Sequence, residues 1–238
     1  MWPEGRRFRP GLPLTLATAL SILLLGALGI WQLRRLEEKT ELIARIESAL
    51  QQEPRTLDAA PDDPEALVWH RARLRGTLLS SRSFAFGSVG HGGRNGAKLI
   101  TPLRLADGSL LLVDLGWIPA SRIAELRTEQ GARQRVVVEG VLEDLRMFRR
   151  RWFTPADDAE GRHLYALDPK ALARWLGRTP LPLLLAAERA EPAEVLALPL
   201  GGARLPRNPH LGYAMTWFSL AAALAVIYLL LGLERGRR

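Results

Sequence analysis

Two apolar stretches at opposite ends of the chain constrain its fold more than any other feature. Residues 12–33 carry no charge until Arg34, and residues 211–233 are almost wholly apolar up to Glu234. Each is long enough for a helix to cross a bilayer, which takes about 20 apolar residues. The first competes with a secretory signal, since Arg6, Arg7 and Arg9 form a plausible basic n-region. Its apolar run is too long for that, continuing without a charged break to Trp31-Gln32-Leu33-Arg34-Arg35. It reads as an uncleaved anchor. The pre-span arginines also lack the Ser-rich amphipathic length of a mitochondrial transit peptide, which favours a bacterial chain.

Charge sets the expected orientation. Arg6, Arg7 and Arg9 stand against Glu4 at one end, and Arg235, Arg237 and Arg238 against Glu234 at the other. Each tail is therefore net +2, and the two supply half of the total of +8. Short basic flanks stay cytoplasmic, whereas a long intervening domain translocates largely regardless of its charge. The expected organisation is a cytoplasmic tail at 1–11, a span at 12–33, an exported periplasmic domain at 34–208, a span at 209–233 and a cytoplasmic tail at 234–238. That places the chain in the bacterial inner membrane. The basic tails suit anionic lipid headgroups and call for no nucleic acid.

The chain has no cysteine, so the exported domain holds without disulfides. The same absence excludes thiolate metal sites, thioredoxin-like chemistry and thioether haem attachment. The four histidines, His70, His91, His163 and His210, are dispersed with no paired metal-ligand spacing. No nucleophile elbow, dinucleotide fingerprint or P-loop occurs, and the expectation is a protein that is not an enzyme, the alternative being a membrane-anchored enzyme whose site no motif marks. Asp157, Asp158 and Glu160 read as a solvated acidic loop.

Within the middle region, residues 33–50 continue the first helix, and 53–65 form a Pro- and acid-bearing loop. Residues 68–78 alternate, with Arg71, Arg73 and Arg75 on one face and Ala72 and Leu74 on the other, as in a half-buried strand. An arginine row is by default a solvated sheet face; its sharper alternative is a contact for an acidic partner or a carboxylate-bearing ligand. Residues 88–96 form a glycine-rich hairpin tip. Asp107-Gly108 between residues 99–105 and 110–117 predicts a tight hairpin turn. A short helix is expected over 119–126 and a strand over 135–142, with Val136, Val137 and Val138 buried. Asp168, Pro169 and Gly177 mark a capped short helix, and 181–188 return as a strand. The class is α+β: two transmembrane helices flanking an exported domain built on an antiparallel sheet or open barrel with short helices.

The second span opens on Pro209-His210. On a helix His210, Tyr213, Ala214 and Trp217 stand at i, i+3, i+4 and i+7. An ionisable ring at the lip of a span marks a functional position, although an interfacial belt of Tyr, Trp and a wet histidine gives the same pattern and is the default from pattern alone.

Several segments resemble the surfeit locus protein one family, membrane proteins that assist assembly of haem-copper cytochrome c oxidase. The resemblance rests on Gly29-Ile30-Trp31-Gln32-Leu33 with Arg35 and Lys39, on Arg73-Leu74-Arg75-Gly76, on Leu111-Leu112-Val113-Asp114 with Gly116-Trp117-Ile118-Pro119, and on Arg207-Asn208 with His210-Leu211, Tyr213 and Thr216-Trp217-Phe218. Leu115 departs from it, standing where the family usually carries an arginine. The resemblance implies a non-enzymatic role in maturing oxidase subunit I, through haem a delivery or retention or by stabilising an assembly intermediate. It implies subunit I and haem a synthase as partners, and a haem iron ligand at His210. Tyr213 and Trp217 would flank a porphyrin face, and Trp31 and Gln32 would complete the pocket from the first span.

Overall fold

The computed structural model describes residues 10–126, 133–158, 162–198 and 205–234. The tail residues 1–9 and 235–238, with their arginines, and Glu160 lie outside the described residues. The chain divides into two compact units, residues 1–45 with 205–238, and residues 46–204.

The first unit is a helix pair. The expected continuation of the first span is present: one unbroken helix, α1, runs Leu12–Leu50. Its apolar part and a helix at the C-terminal end are both long and apolar enough to cross a membrane. Leu12, Leu16, Leu20, Leu23 and Leu24 are exposed, as lipid-facing side chains must be when nothing else covers them. Along the apolar part of α1, Thr15, Thr18, Ile22, Leu25, Gly29, Gln32 and Leu36 are each buried or half-buried. Steps of three and four residues between them form the stripe of a shallow helix–helix crossing.

The second unit begins with β1 (Arg55–Leu57), a short strand inside the stretch expected to be all loop. It forms because Arg55, Thr56 and Leu57 pair in parallel with Ala72, Arg73 and Leu74, a partner no local pattern reveals. β2 (Arg71–Leu79), β3 (Phe84–His91), β4 (Arg94–Arg104) and β5 (Leu110–Pro119) follow. Most of the glycine-rich segment is therefore strand, and only Gly92-Gly93, both at positive φ, form the tip. The Asp107-Gly108 turn joins β4 and β5 as expected, with Gly108 at φ 83°. α2 (Ala120–Glu125), β6 (Arg133–Asp144), β7 (His163–Leu164), α3 (Pro169–Leu176) and β8 (Leu183–Glu191) complete the unit. α3 is capped as predicted: Asp168 accepts from the N–H groups of Lys170 and Ala171, and Gly177 ends it at φ 75°.

Five strands close into a barrel in the order β2-β6-β8-β5-β4, with β2 returning to β4 through Thr77↔Arg104 and Leu78↔Leu103. Most ladders are antiparallel, but β5–β8, β1–β2 and β3–β7 are parallel. Gly76 makes the seam possible, because a Cβ there would lie 2.5 Å from the carbonyl oxygen of Arg104. Leu74, Leu103, Leu111, Val113, Val138 and Leu185 fill the interior. A second cluster, with Phe84, Ile100, Leu112, Leu172 and Leu184, packs on the opposite faces. β5 is thus covered on both sides, which explains its apolar run from Leu110 to Val113. In β6, Val136 and Val138 are buried but Val137 is only half-buried, since consecutive strand residues point to opposite faces.

The arginine row on β2 is not bare. Glu139 lies opposite Arg73 in the β2–β6 ladder and binds it at 3.0 Å, while Arg71 reaches Glu139 at 3.4 Å and Glu188 at 2.7 Å. Leu115, in place of the expected arginine, packs into the barrel interior. The buried carboxylate beside it, Asp114, takes its cation from Lys98 across the ladder at 2.5 Å and accepts the Gly116 N–H at 3.0 Å.

Candidate functional site in the helix pair

The C-terminal helix α4 runs His210–Glu234, and His210 is its first residue. Its more buried positions, His210, Ala214, Trp217, Ala221, Leu224 and Tyr228, again step by three and four, which matches the stripe on α1. The helices are antiparallel. At one end the hydroxyls of Thr15 and Tyr228 are 2.9 Å apart, and at the other His210 meets Gln32. Between them Gly29 provides the close approach: a Cβ there would lie 2.6 Å from the Phe218 ring. Ala214, another small residue on the shared seam, is 1% exposed. The antiparallel arrangement puts Pro10 and Glu234 at the same end of the pair.

His210 Nδ1 lies 2.7 Å from Oε1 of Gln32, which is only 8% exposed. An amide oxygen can only accept, so Nδ1 carries the hydrogen, and in the neutral ring Nε2 is then the nitrogen with the lone pair. This is the arrangement in which a neighbouring acceptor sets the tautomer of a ligating imidazole. The Asn208 amide donates to the Leu36 carbonyl at 3.3 Å and to the Thr40 hydroxyl at 3.2 Å, pinning the entry to α4 onto α1. Asn208 Oδ1 is buried without a hydrogen-bond partner among the described residues.

Of the residues singled out in the sequence, the structure joins His210 and Gln32 directly and puts Trp217 on their inter-helix seam. It does not bring Tyr213 or Trp31 into that seam. Tyr213 is 55% exposed and Trp31 is 49% exposed, with the Arg35 guanidinium 5.9 Å from the Trp31 ring. Sequence reasoning missed Asn208 and the Gly29–Phe218 contact as parts of the site. Their signal lay in the motif residues themselves, Gly29 before Trp31-Gln32 and Asn208 before Pro209-His210.

Two membrane-length helices, paired through a polar clasp at their ends and carrying a five-stranded barrel domain between them in sequence, define a two-span membrane protein. Comparison with known proteins specifies which kind. The SURF1 family model matches residues 19–222, and the chain belongs to that family. It is 30% identical to a SURF1-like protein of Monosiga brevicollis over 225 residues, covering 89% of this chain and 84% of the relative. Surfeit locus protein 1 of Homo sapiens is 28% identical over 223 residues, covering 84% of this chain and 71% of the human protein. A SURF1-like protein of Rickettsia felis is 28% identical over 220 residues, with 90% and 95% covered.

Proposed function

We propose that this protein assists the assembly of haem-copper cytochrome c oxidase by holding haem a at His210 for delivery to, or retention in, subunit I. The observation that carries the reading is the His210–Gln32 hydrogen bond, which leaves Nε2 of a neutral imidazole with a free lone pair. His210 would hold the haem iron through that nitrogen, and the haem would be the group handed on to subunit I. Gln32 orients the ring, and Trp217 on the same seam offers an apolar face beside it. Tyr213 and Trp31, half-exposed on the helix pair, extend that apolar surface outward. The role is binding and hand-over, not turnover, and subunit I and haem a synthase are the proposed partners.

The proposed setting is the bacterial inner membrane, with both termini cytoplasmic and the barrel domain periplasmic. The antiparallel pair and the two net-positive tails support it. A reporter fused after Arg238 should be active only in the cytoplasm; activity in the exported compartment would reverse the orientation.

Absorption spectra of the protein purified from cells making haem a test the function. The expected result is a Soret band that disappears in His210→Ala, with less active oxidase in the deletion strain. A colourless protein that still retains subunit I would make it a scaffold without haem. Normal oxidase abundance and haem content in the deletion strain would overturn the assignment to oxidase assembly.

A further inference from the structure

The barrel unit carries one surface feature that neither its core nor the helix pair accounts for. After β6, the chain passes through Met147-Phe148-Arg149-Arg150-Arg151-Trp152-Phe153-Thr154. Phe148 anchors the segment from within, packing edge-on against Phe86 at 5.6 Å. Beyond it a tight turn forms: the Thr154 N–H donates to the Arg151 carbonyl at 3.0 Å, and the Arg151 N–H donates to the Thr154 hydroxyl at 2.8 Å. Trp152 and Phe153 occupy the two corner positions of that turn, where Gly, Asn, Asp and Pro are the usual residues. Trp152 is 95% exposed, and Phe153 and Met147 are each 59% exposed. The two rings meet edge to face at 5.3 Å, with the Arg151 guanidinium 5.3 Å from the Phe153 ring.

The local charges divide unevenly. Arg150 is tied to Asp157 and to the Pro155 carbonyl, which braces the turn from behind. Arg146 is paired with Glu65 and Asp144. Arg149 and Arg151 have no ion pair with a carboxylate among the described residues and flank the aromatic corner. A braced tip presenting Trp and Phe beside two guanidinium groups that form no close ion pair among the described residues has the chemistry of a bilayer interface. Aromatic rings settle at headgroup depth there, and arginines hold phosphate oxygens bidentately. The chain's own spans keep a lipid surface at high effective concentration around this domain.

We infer that the Arg149–Phe153 tip is a lipid-docking element that seats the barrel domain on an anionic membrane surface, with Trp152 and Phe153 inserted at headgroup level and Arg149 and Arg151 on lipid phosphates. The inference rests on the membrane spans and the exposed tip, and stands apart from any haem binding. Docking of this kind limits the tumbling of a tethered domain, and salt weakens it by screening the arginine–phosphate attraction.

The test uses the full chain in bilayers of phosphatidylcholine alone, or of equal parts phosphatidylcholine and phosphatidylglycerol, with brominated acyl chains as the quencher. Subtracting the emission of Trp152→Ala from that of the unaltered chain isolates the Trp152 signal. Because Trp152 is 95% exposed, that variant should leave the fold intact. The expected result is Trp152 emission that is blue-shifted and quenched in the phosphatidylglycerol bilayers. Arg149→Gln with Arg151→Gln should lower the docked fraction about five-fold per arginine removed. Water-like, unquenched Trp152 emission in both bilayers overturns the proposal. So does shielding of Trp152 that occurs only when oxidase subunits are added, because the tip is then a protein contact.

Discussion

His210 and Gln32 are 178 residues apart in sequence and meet through a 2.7 Å hydrogen bond between Nδ1 and Oε1. The bond ties the end of the apolar part of one helix to the first residue of the other. It also decides which imidazole nitrogen is available for a ligand. Replacing Gln32 by Leu removes the acceptor while keeping an apolar helix former. Loss of an outer partner of this kind typically weakens metal affinity 10–100-fold. Gln32→Leu should therefore retain a reduced Soret band with a shifted maximum, whereas His210→Ala should lose it. Membrane extraction profiles should match the unaltered chain for both, since the apolar residues that span the bilayer remain. An unchanged spectrum in Gln32→Leu would show that the tautomer is set elsewhere.

The Gly29–Phe218 contact makes a different claim, about packing. A side chain at Gly29 would collide with the Phe218 ring, and overpacking of this kind costs about 1–3 kcal/mol. Because the chain has no cysteine, Thr15→Cys with Tyr228→Cys, joined by a bifunctional thiol reagent that spans the space of the removed phenol ring, provides a clean cross-linking report on the helix pair. Gly29→Leu in that background should reduce cross-link yield several-fold, and Phe218→Ala should restore it. Equal yields in all three proteins would refute the close approach.

Glu139 serves two arginines from a position only 8% exposed. Removing it takes the carboxylate from Arg73 and leaves Arg71 with Glu188. A fully buried pair broken this way costs about 3–5 kcal/mol, but Arg73 is half-exposed and water recovers part of it, so about 1–3 kcal/mol is expected for Glu139→Ala. At about 2–4 °C per kcal/mol for a domain of this size, Tm should fall by several degrees. Thermal unfolding in mild detergent measures it, and a Tm within a degree of the parent would mean the pairs are solvent-screened.

Asp107 in the β4–β5 turn has its pKa lowered from 3.8 to about 2, first by the Ala60 N–H and then by the Ser109 hydroxyl and N–H, all of which hydrogen-bond the carboxylate. A folded-state pKa below the unfolded one contributes stability that is present above pH 3.8 and lost as pH falls towards 2. Asp107→Asn should therefore flatten the decline in stability across that window and leave the neutral-pH fold in place. An identical acid-unfolding curve for parent and variant would show that this carboxylate is not coupled to folding.

What the sequence determined alone is whatever depends on local chemistry. Apolar length forces residues 12–33 and 211–233 to be helices, because backbone groups in a bilayer must be satisfied within the segment. Asp168, Pro169 and Gly177 announced a capped helix for a similarly local reason, since each acts within one turn of itself. Asp107-Gly108 announced its hairpin turn in the same way. Tertiary structure decided what depends on distant partners. β1 exists only because β2 lies beside it, and the arginine row of β2 became an ion-pair network only when Glu139 and Glu188 arrived from β6 and β8. The helical spacing of His210, Tyr213 and Trp217 left open which face meets α1. The seam runs at steps of three and four along both helices, so Trp217 falls on it and Tyr213 on its exposed flank. Gln32 could be named from the sequence, but its hydrogen bond to His210 required two helices to pack in one register, which Gly29 and Phe218 set by their shapes.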